Sequence, residues 1–473
     1  MAPWDLSEES ASTKNTSNVA EVANSSSPIF TVGVIGASFK TAPIDAREEL
    51  ARCISVDGVV KLKSEHAFDS SEVVLLSTCN RVEIYYHNSY SPARDFPQAL
   101  ESLFKVKGDE QYQIYHYVGP SAVEHLFNVA AGLDSLVMGE EQILSQVREA
   151  SRLSAERGLS GPITSKLFSR AYESAKRVRE DNPNFARGLN NSVSQAVLDF
   201  ISRKFSGKRP NLLLIGSGKM IRLAVRSIDR SSLGTVTVAA RSGKALEDWV
   251  EPESLVQLSE IGRAVRENSV DVIITATSAE DYVIRREDIE KSISIKDSKS
   301  PLLIIDISVP RNVDPEVASI PEVTLLNIDD LKEYVRPPES EDKEIVEKIK
   351  ASLAEGVGEF TSWLVEYGEI GLPMAALRRR AEAIREEEFE NAISRLPDLT
   401  PDERAVIEKM SERLVRRFLH EPTTKLRDLA REHEKFGKAR QYTEALTELF
   451  SSDYTPKESK QKQDAEWEKE QKK

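Results

Sequence analysis

Short apolar runs and amphipathic stripes alternate along the chain and divide it into blocks. From Thr31 to about Tyr117, the β-rich runs TVGVIG, EVVLLST and RVEIYY alternate with helical stretches such as Ile44–Cys53, the pattern of a small α/β domain. Residues 120–180 read as helices: Leu126, Val129, Leu133, Leu136 and Val137 fall at helical spacing, followed by Ile143, Val147, Leu167 and Val178. From Asn211 four near-continuous apolar strands appear, LLLIG, TVTVAA, DVIITAT and LLIIDIS, which suit a parallel sheet covered on both faces. Pro337-Pro338 closes that block. Beyond it Ile345, Ile349, Leu353 and Val357 fall four apart, as do Val406, Met410, Leu414 and Phe418, so each set marks a helix with one apolar stripe. The first, from about Glu341 to Leu364, would extend roughly 36 Å, enough to tie parts together or pair with another subunit. The fold class predicted is therefore α/β multidomain: an N-terminal α/β domain, a Rossmann-like domain, and a C-terminal all-α domain on a long helix.

Length and composition narrow the function classes. A chain of 473 residues has room for about two to four domains. Residues 1–28 are rich in Ser, Asn, Ala and acids, with Lys14 as the one basic side chain, so a disordered tail is expected and an Arg-rich transit peptide is not. Residues 455–473 read as a charged, solvated tail. The intervening domains are placed at 29–180, 181–336 and 337–454. No apolar run approaches the roughly 18–20 residues that cross a bilayer, so no membrane contact is expected and the location predicted is cytoplasmic. The net charge is 64 − 78 = −14, which opposes diffuse binding of a polyanion. RNA contact would need local basic patches, and Arg378-Arg379-Arg380 and Arg413/Arg416/Arg417 are candidates. Cys53 and Cys79 are the two cysteines, too few for a disulfide framework. The six histidines and these cysteines show no metal spacing, so no metal is expected.

Two segments carry candidate chemistry. Ser77-Thr78-Cys79-Asn80-Arg81-Val82-Glu83 joins two strands, placing Cys79 in a turn two residues from Arg81, whose charge would favour the thiolate. A small buried cysteine at a strand end is the competing reading, and it is the stronger one for Cys53. Ile215-Gly216-Ser217-Gly218-Lys219-Met220-Ile221 follows a strand and opens a helix, as a dinucleotide fingerprint requires, although Ile221 stands where a third glycine allows close helix packing. The next strand ends in Arg241-Ser242 in place of an acidic residue. That pair suits a ribose 2′-phosphate, so the cofactor predicted is NADPH. His116, in Tyr115-His116-Tyr117, follows a strand-like stretch and is a candidate acid or base.

Taken together and in order, these blocks resemble the glutamyl-tRNA reductase family over about residues 31–434. The most specific pieces are STCNRVEIY at 77–85, YHYVG at 115–119, AAGLDSLVMGEEQILSQV at 130–147, SVS at 192–194, IGSGKM at 215–220, DVIITATSA at 271–279, IDISVPRNVD at 305–314 and LHEPTTKLR at 419–427. The resemblance implies a catalytic domain, an NADPH domain and a helical dimerisation domain along a long helix, in a V-shaped homodimer. It implies Cys79 as a nucleophile that expels tRNA and holds a glutamyl thioester, which NADPH reduces to glutamate-1-semialdehyde at the start of the five-carbon route to tetrapyrroles. Thr78 and Arg81 match positions that hold the glutamyl moiety, His116 is assigned as the active-site histidine, and Glu83 supports the pocket. Gly216, Ser217, Gly218, Lys219 and Met220, with Arg241 and Ser242, would bind the cofactor. The partners implied are glutamyl-tRNA(Glu), a second copy of the chain and glutamate-1-semialdehyde aminotransferase. Two other readings are a catalytically silent family member acting as a tRNA- or partner-binding regulator, and an NADP-dependent thiol dehydrogenase acting on a free metabolite.

Overall fold

A computed structural model describes residues 30–65, 71–89, 96–105, 112–135, 138–140, 142–186, 193–218, 221–222, 233–240, 254–267, 269–277, 279, 281–293, 301–331, 340–396, 398–431 and 436–450. The two expected tails, Leu136, Val137, Pro337-Pro338, Lys219, Met220, Arg241 and Ser242 lie outside the described residues. The chain divides into two compact units, residues 1–360 and 361–473.

The first unit holds two sheets. Strands β1 (Phe30–Ser38), β2 (Glu72–Ser77), β3 (Arg81–Ser89) and β4 (Tyr115–Val118) form an antiparallel sheet in the order β2-β3-β1-β4. Alternation along β3 sends Val82, Ile84 and Tyr86 to one face and Arg81, Glu83 and Tyr85 to the other. The first face is closed by helices α1 (Ile44–Cys53), α2 (Val56–Glu65) and α3 (Phe96–Leu103), through Leu50, Val59, Phe96 and Leu100. Against the second lie α4 (Pro120–Ala131) and α6 (Pro162–Asp181), with α5 (Gln142–Glu156) beside them; Phe168 of α6 meets the Tyr85 ring edge-on at 5.2 Å. Three helices form within the predicted 120–180 stretch, but the first ends at Ala131, so Leu133 of the expected stripe lies in the turn that follows. The YHYV stretch, expected to follow a strand, is itself the edge strand β4.

After α7 (Val193–Lys204) comes a parallel sheet of six strands: β5 (Leu212–Ile215), β6 (Val236–Ala240), β7 (Leu255–Gln257), β8 (Val272–Thr275), β9 (Leu302–Asp306) and β10 (Val323–Asn327). Four were predicted from apolar runs, and the additional β7 and β10 are half-buried edge strands. Their order, β10-β9-β8-β5-β6-β7, is the doubly wound dinucleotide-fold order, in which ligands bind beyond the carboxyl ends of the strands where the order reverses. Here that point lies between β5 and β8.

Helix α10 (Ser340–Glu366) continues through a π-helical turn (Tyr367–Gly371) into α11 (Leu372–Ser394). In the second unit α11, α12 (Pro401–Arg431) and α13 (Phe436–Leu449) enclose a small core of Ile370, Met374, Leu426, Ala430 and Ala439. The apolar stripe predicted on α12 is not in that core: Val406, Met410, Leu414 and Phe418 are 50–71% exposed. Among the described residues, no helix is long and apolar enough to cross a membrane.

Candidate active site and dinucleotide crevice

The β2–β3 turn is pinned by its own first residue. Thr78 donates its backbone N–H to the Arg81 carbonyl at 2.8 Å, and its Oγ1 accepts from the N–H groups of Asn80 and Arg81, both at 3.2 Å. Phe39, just after β1, donates its backbone N–H to the Asn80 carbonyl at 2.8 Å. Cys79 is thereby held at the strand ends in a half-buried position. Cys53, by contrast, lies exposed at the end of α1, 3.3 Å from Glu49.

Beside the turn, a charged cluster fills the second face of the sheet. The Arg81 guanidinium, fully buried, donates to Glu83 Oε1 at 2.8 Å and to Asp134 Oδ2 at 3.1 Å, and also to the Asp134 carbonyl. Glu83, equally buried, accepts from Tyr85 Oη at 2.7 Å and from Tyr115 Oη, and His125 Nε2 lies 2.8 Å from its Oε1. Room for that carboxylate comes from β1: Gly36 stands directly across from Glu83, and a Cβ there would sit 2.7 Å from Glu83 Cγ. Burial alone would raise the Glu83 pKa, but Arg81, His125 and Tyr115 overcome it and hold the carboxyl well below the usual carboxylate range. A charge pair removed from water is tolerable only when its remaining polar atoms are also satisfied, and the two tyrosines and His125 do this for Glu83. Arg81 Nε and Asn80 Oδ1 are buried with no hydrogen-bond partner among the described residues.

The thiol departs from expectation. Proximity to Arg81 predicts a lowered pKa, yet burial and the Glu140 carboxylate push Cys79 up to about 12, outweighing the opposing charges of Arg47 and Arg81. The physical reason is that the Arg81 side chain turns into the cluster, where Glu83 and Asp134 neutralise it.

The two histidines fall on opposite faces. His116 pairs with Ile35 across β1 and contacts Tyr86 Oη at 2.7 Å and Glu101 at 3.1 Å, on the side of α3. His125, from α4, joins the Arg81–Glu83 cluster and packs with the rings of Tyr115 and Tyr117. So the structure groups Thr78, Arg81 and Glu83 at the Cys79 turn, leaves His116 across the sheet, and adds His125, Tyr115 and Asp134. The signal available for His125 was its place in a helix just before the AAGLDS stretch, which the resemblance covers without marking it.

In the parallel sheet, Gly216 and Gly218 follow β5 at the reversal point. Gly216 has φ +126°, and a Cβ on it would stand 2.3 Å from the Ala276 carbonyl oxygen, so a side chain is excluded on both counts. The loop leaving β8 is fixed by Asn312, whose Oδ1 accepts from Thr277 N at 3.0 Å and Thr277 Oγ1 at 2.6 Å. Asp306, at the end of β9, accepts from the N–H groups of Ser308, Asn312 and Val313 at 2.7–2.9 Å. Ile221, in the third fingerprint position, is wholly buried in the core cluster that also holds Leu214, Val238 and Leu303. A glycine turn at the strand-order reversal, with the neutral Asn312 and Thr277 beside it and Asp306 held by three backbone N–H groups, fits a pyrophosphate. Among the described residues no group of three His, Cys, Asp or Glu side chains could hold a metal ion.

An antiparallel domain with a turn cysteine, joined in one chain to a doubly wound dinucleotide domain, defines an α/β oxidoreductase of the nicotinamide-dependent type. Comparison with known proteins specifies it further. Residues 35–182 match the family described as glutamyl-tRNAGlu reductase, N-terminal domain; residues 199–334 match shikimate / quinate 5-dehydrogenase; residues 348–452 match glutamyl-tRNAGlu reductase, dimerisation domain. Glutamyl-tRNA reductase of Shouchella clausii is 33% identical over 411 residues, covering 84% of this chain and 88% of that protein. The Bacillus subtilis glutamyl-tRNA reductase is 31% identical over 409 residues, covering 84% and 87%. A solved glutamyl-tRNA reductase from Methanopyrus kandleri is 26% identical and covers 89% of this chain and 99% of its own, at a TM-score of 0.44. The chain belongs to the glutamyl-tRNA reductase family.

Proposed function

We propose that the protein reduces glutamyl-tRNA(Glu) to glutamate-1-semialdehyde with release of tRNA, through a thioester on Cys79, as the first step of tetrapyrrole synthesis by the five-carbon route. The observation that carries this reading is the position of Cys79, half-buried in a rigid turn beside the Arg81–Glu83–His125 cluster, in a chain that also holds a dinucleotide fold. The thiol attacks the ester carbonyl; a C–S bond forms, the C–O bond to the terminal ribose breaks, and the thiol proton ends on the departing ribose oxygen. Burial raises the thiol pKa, which favours relay of that proton as the bond forms. His125, oriented by Glu83, shares the cluster and suits the relay; His116, bound to Tyr86 and Glu101, suits a supporting role. Thr78 holds the turn, while Arg81, expected to pair with the glutamyl carboxylate, is fully buried and bound to Glu83 and Asp134 and so supports the turn from behind.

NADPH, when bound, would supply a hydride, and Cys79 would serve as the leaving group that frees the aldehyde. Gly216, Ser217 and Gly218 would accept the pyrophosphate, with Lys219 and Met220 completing the loop; Arg241 and Ser242 would select the 2′-phosphate. The exposed α12 stripe supports a homodimer through this domain. Arg378, Arg379, Arg380, Arg413, Arg416 and Arg417 are exposed, and the neighbouring Glu382 pairs with Arg385, which supports a local tRNA-phosphate face on an acidic chain. Within this reading the enzyme is cytoplasmic and passes its aldehyde to glutamate-1-semialdehyde aminotransferase. Anaerobic incubation with glutamyl-tRNA and NADPH, assayed for the semialdehyde, tests it: wild type and Cys53→Ser form aldehyde, Cys79→Ser forms none, and aldehyde from the Cys79 variant at a comparable rate refutes it.

A further inference from the structure

Two arginine–carboxylate contacts of opposite sense cross between the antiparallel and parallel sheets. Arg47 of α1, 1% exposed, donates through both terminal nitrogens to Asp329, at 3.1 and 3.2 Å. In return, Arg311 donates to Glu48 through Nε at 3.0 Å and through its backbone N–H at 2.5 Å, and also pairs with Asp45. Two-pronged forks of this kind fix orientation as well as distance. Two of them, one directed each way, remove most of the rotational freedom that domains in one chain otherwise keep.

Both ends are stiffened by the strands they leave. On the dinucleotide side, Asp306 organises the 308–313 loop that carries Arg311, and Asn327 Oδ1 accepts from Asp329 N at 2.7 Å and Asp330 N at 3.3 Å. These loops leave the carboxyl ends of β9 and β10, the edge of the sheet on which the Gly216 crevice opens. On the catalytic side, Arg47 also donates to the Ala42 carbonyl at 3.0 Å; Ala42 N bonds to Ser38 O at 2.8 Å, and Phe39 N to Asn80 O at 2.8 Å. A continuous path of hydrogen bonds thus runs from β10 through Asp329 and Arg47 to the residue after Cys79.

We propose that Arg47–Asp329 and Arg311–Glu48 form a latch that sets the carboxyl edge of the dinucleotide sheet at a fixed distance from the Cys79 turn, making these four residues positioning residues for hydride delivery. The proposal rests on the thioester reading above. Tight burial of ionic pairs is weak evidence for added stability, but it specifies one geometry over others. Hydride transfer is sensitive to such geometry, since a misplacement of about 1 Å can cost about a hundredfold in rate. Thioester formation needs only the catalytic domain and tRNA, so the two half-reactions should respond differently to the latch.

The test uses the full-length enzyme and Asp329→Asn, Arg311→Ala and Arg311→Lys, with three readouts: tRNA release without NADPH, NADPH affinity by fluorescence titration, and single-turnover aldehyde formation. For Asp329→Asn and Arg311→Ala, release and NADPH affinity should stay within about twofold of wild type while aldehyde formation falls at least about tenfold. Arg311→Lys, which keeps the charge and loses the fork, should recover part of that loss. An unchanged aldehyde rate overturns the latch, and so does a loss of tRNA release in parallel with reduction, which would mean the pairs only maintain the catalytic fold. Release from the wild type that does not depend on Cys79 refutes the thioester reading instead, and the latch is then judged by aldehyde formation against NADPH affinity.

Discussion

The two sheets of the first unit build their sites by opposite means. At the antiparallel sheet the site is made of ionised side chains: Arg81 and Glu83, alternate residues of one strand, are both fully buried and neutralise each other with help from Asp134, Tyr115 and His125. At the parallel sheet the site is made of backbone: Gly216 gives way to a neighbouring carbonyl, and the neutral Asn312 and Thr277 fix the loops around it. Covalent chemistry needs directed functional groups, whereas binding a pyrophosphate needs close backbone approach and space. The first site should therefore fail when charge is altered, and the second when volume is added.

The largest effect is expected from breaking the buried pair. Glu83→Gln leaves Arg81 under-compensated and should cost about 3–5 kcal/mol of stability, read from the urea midpoint. A loss below about 1 kcal/mol would mean that Asp134 alone satisfies Arg81. The same pair sets an acid limit. Because the folded state holds the Glu83 pKa down, its contribution is present above the ordinary carboxylate pKa of about 4 and is lost as pH falls below it. Glu83→Gln should flatten the acid limb of the stability curve.

Added volume tests the other sheet. Gly216→Ala places a Cβ against the Ala276 carbonyl at a φ that side chains rarely adopt, and NADPH affinity should fall about a hundredfold, roughly 2–3 kcal/mol of strain and displacement. Cofactor-independent tRNA release should be unaffected. A parallel loss of both activities would erase the distinction between the sites.

Thiol reactivity sharpens the contrast from the chemical side. With its pKa pushed up to about 12, Cys79 in a Cys53→Ser background should alkylate about tenfold faster per pH unit between pH 7 and 9, because the thiolate fraction rises in that proportion. A plateau near pH 7 would show that the Arg81 charge, not burial, governs the thiol. The smallest effect concerns the second unit, where Phe418→Ser removes one exposed member of the α12 stripe. It should weaken the dimer about tenfold in sedimentation analysis, roughly 1.4 kcal/mol; an unchanged association constant would place the subunit contact elsewhere.

Legibility in the sequence followed the range of the interactions. Helix Ile44–Cys53 and strands β5, β6, β8 and β9 could be read directly, since each carries its own periodicity or apolar run. Strand β7 spans three residues, and β10, though five residues long, is a half-buried edge strand whose apolar run is broken by Thr324 and Asn327. The Cys79 turn was visible as a polar insertion between strands, but the sign of the thiol pKa was not, because adjacency in sequence does not reveal that the Arg81 side chain turns toward Glu83 and Asp134. His125 escaped notice as one polar residue on an otherwise apolar helix face. The latch could not be read at all: Arg47 and Asp329 are 282 residues apart, Glu48 and Arg311 263, and only the packed fold brings them together.

The central claim is that a covalent acyl-enzyme forms on Cys79 before any reduction takes place. Its most direct test is rapid quenching of the enzyme with glutamate-labelled glutamyl-tRNA in the absence of NADPH, followed by acid proteolysis and mass analysis of the peptides. The account predicts one glutamyl group on the peptide that contains Cys79, released by hydroxylamine and converted to semialdehyde when NADPH is added. Aldehyde formation with no label on Cys79, or label retained in Cys79→Ser, would contradict it.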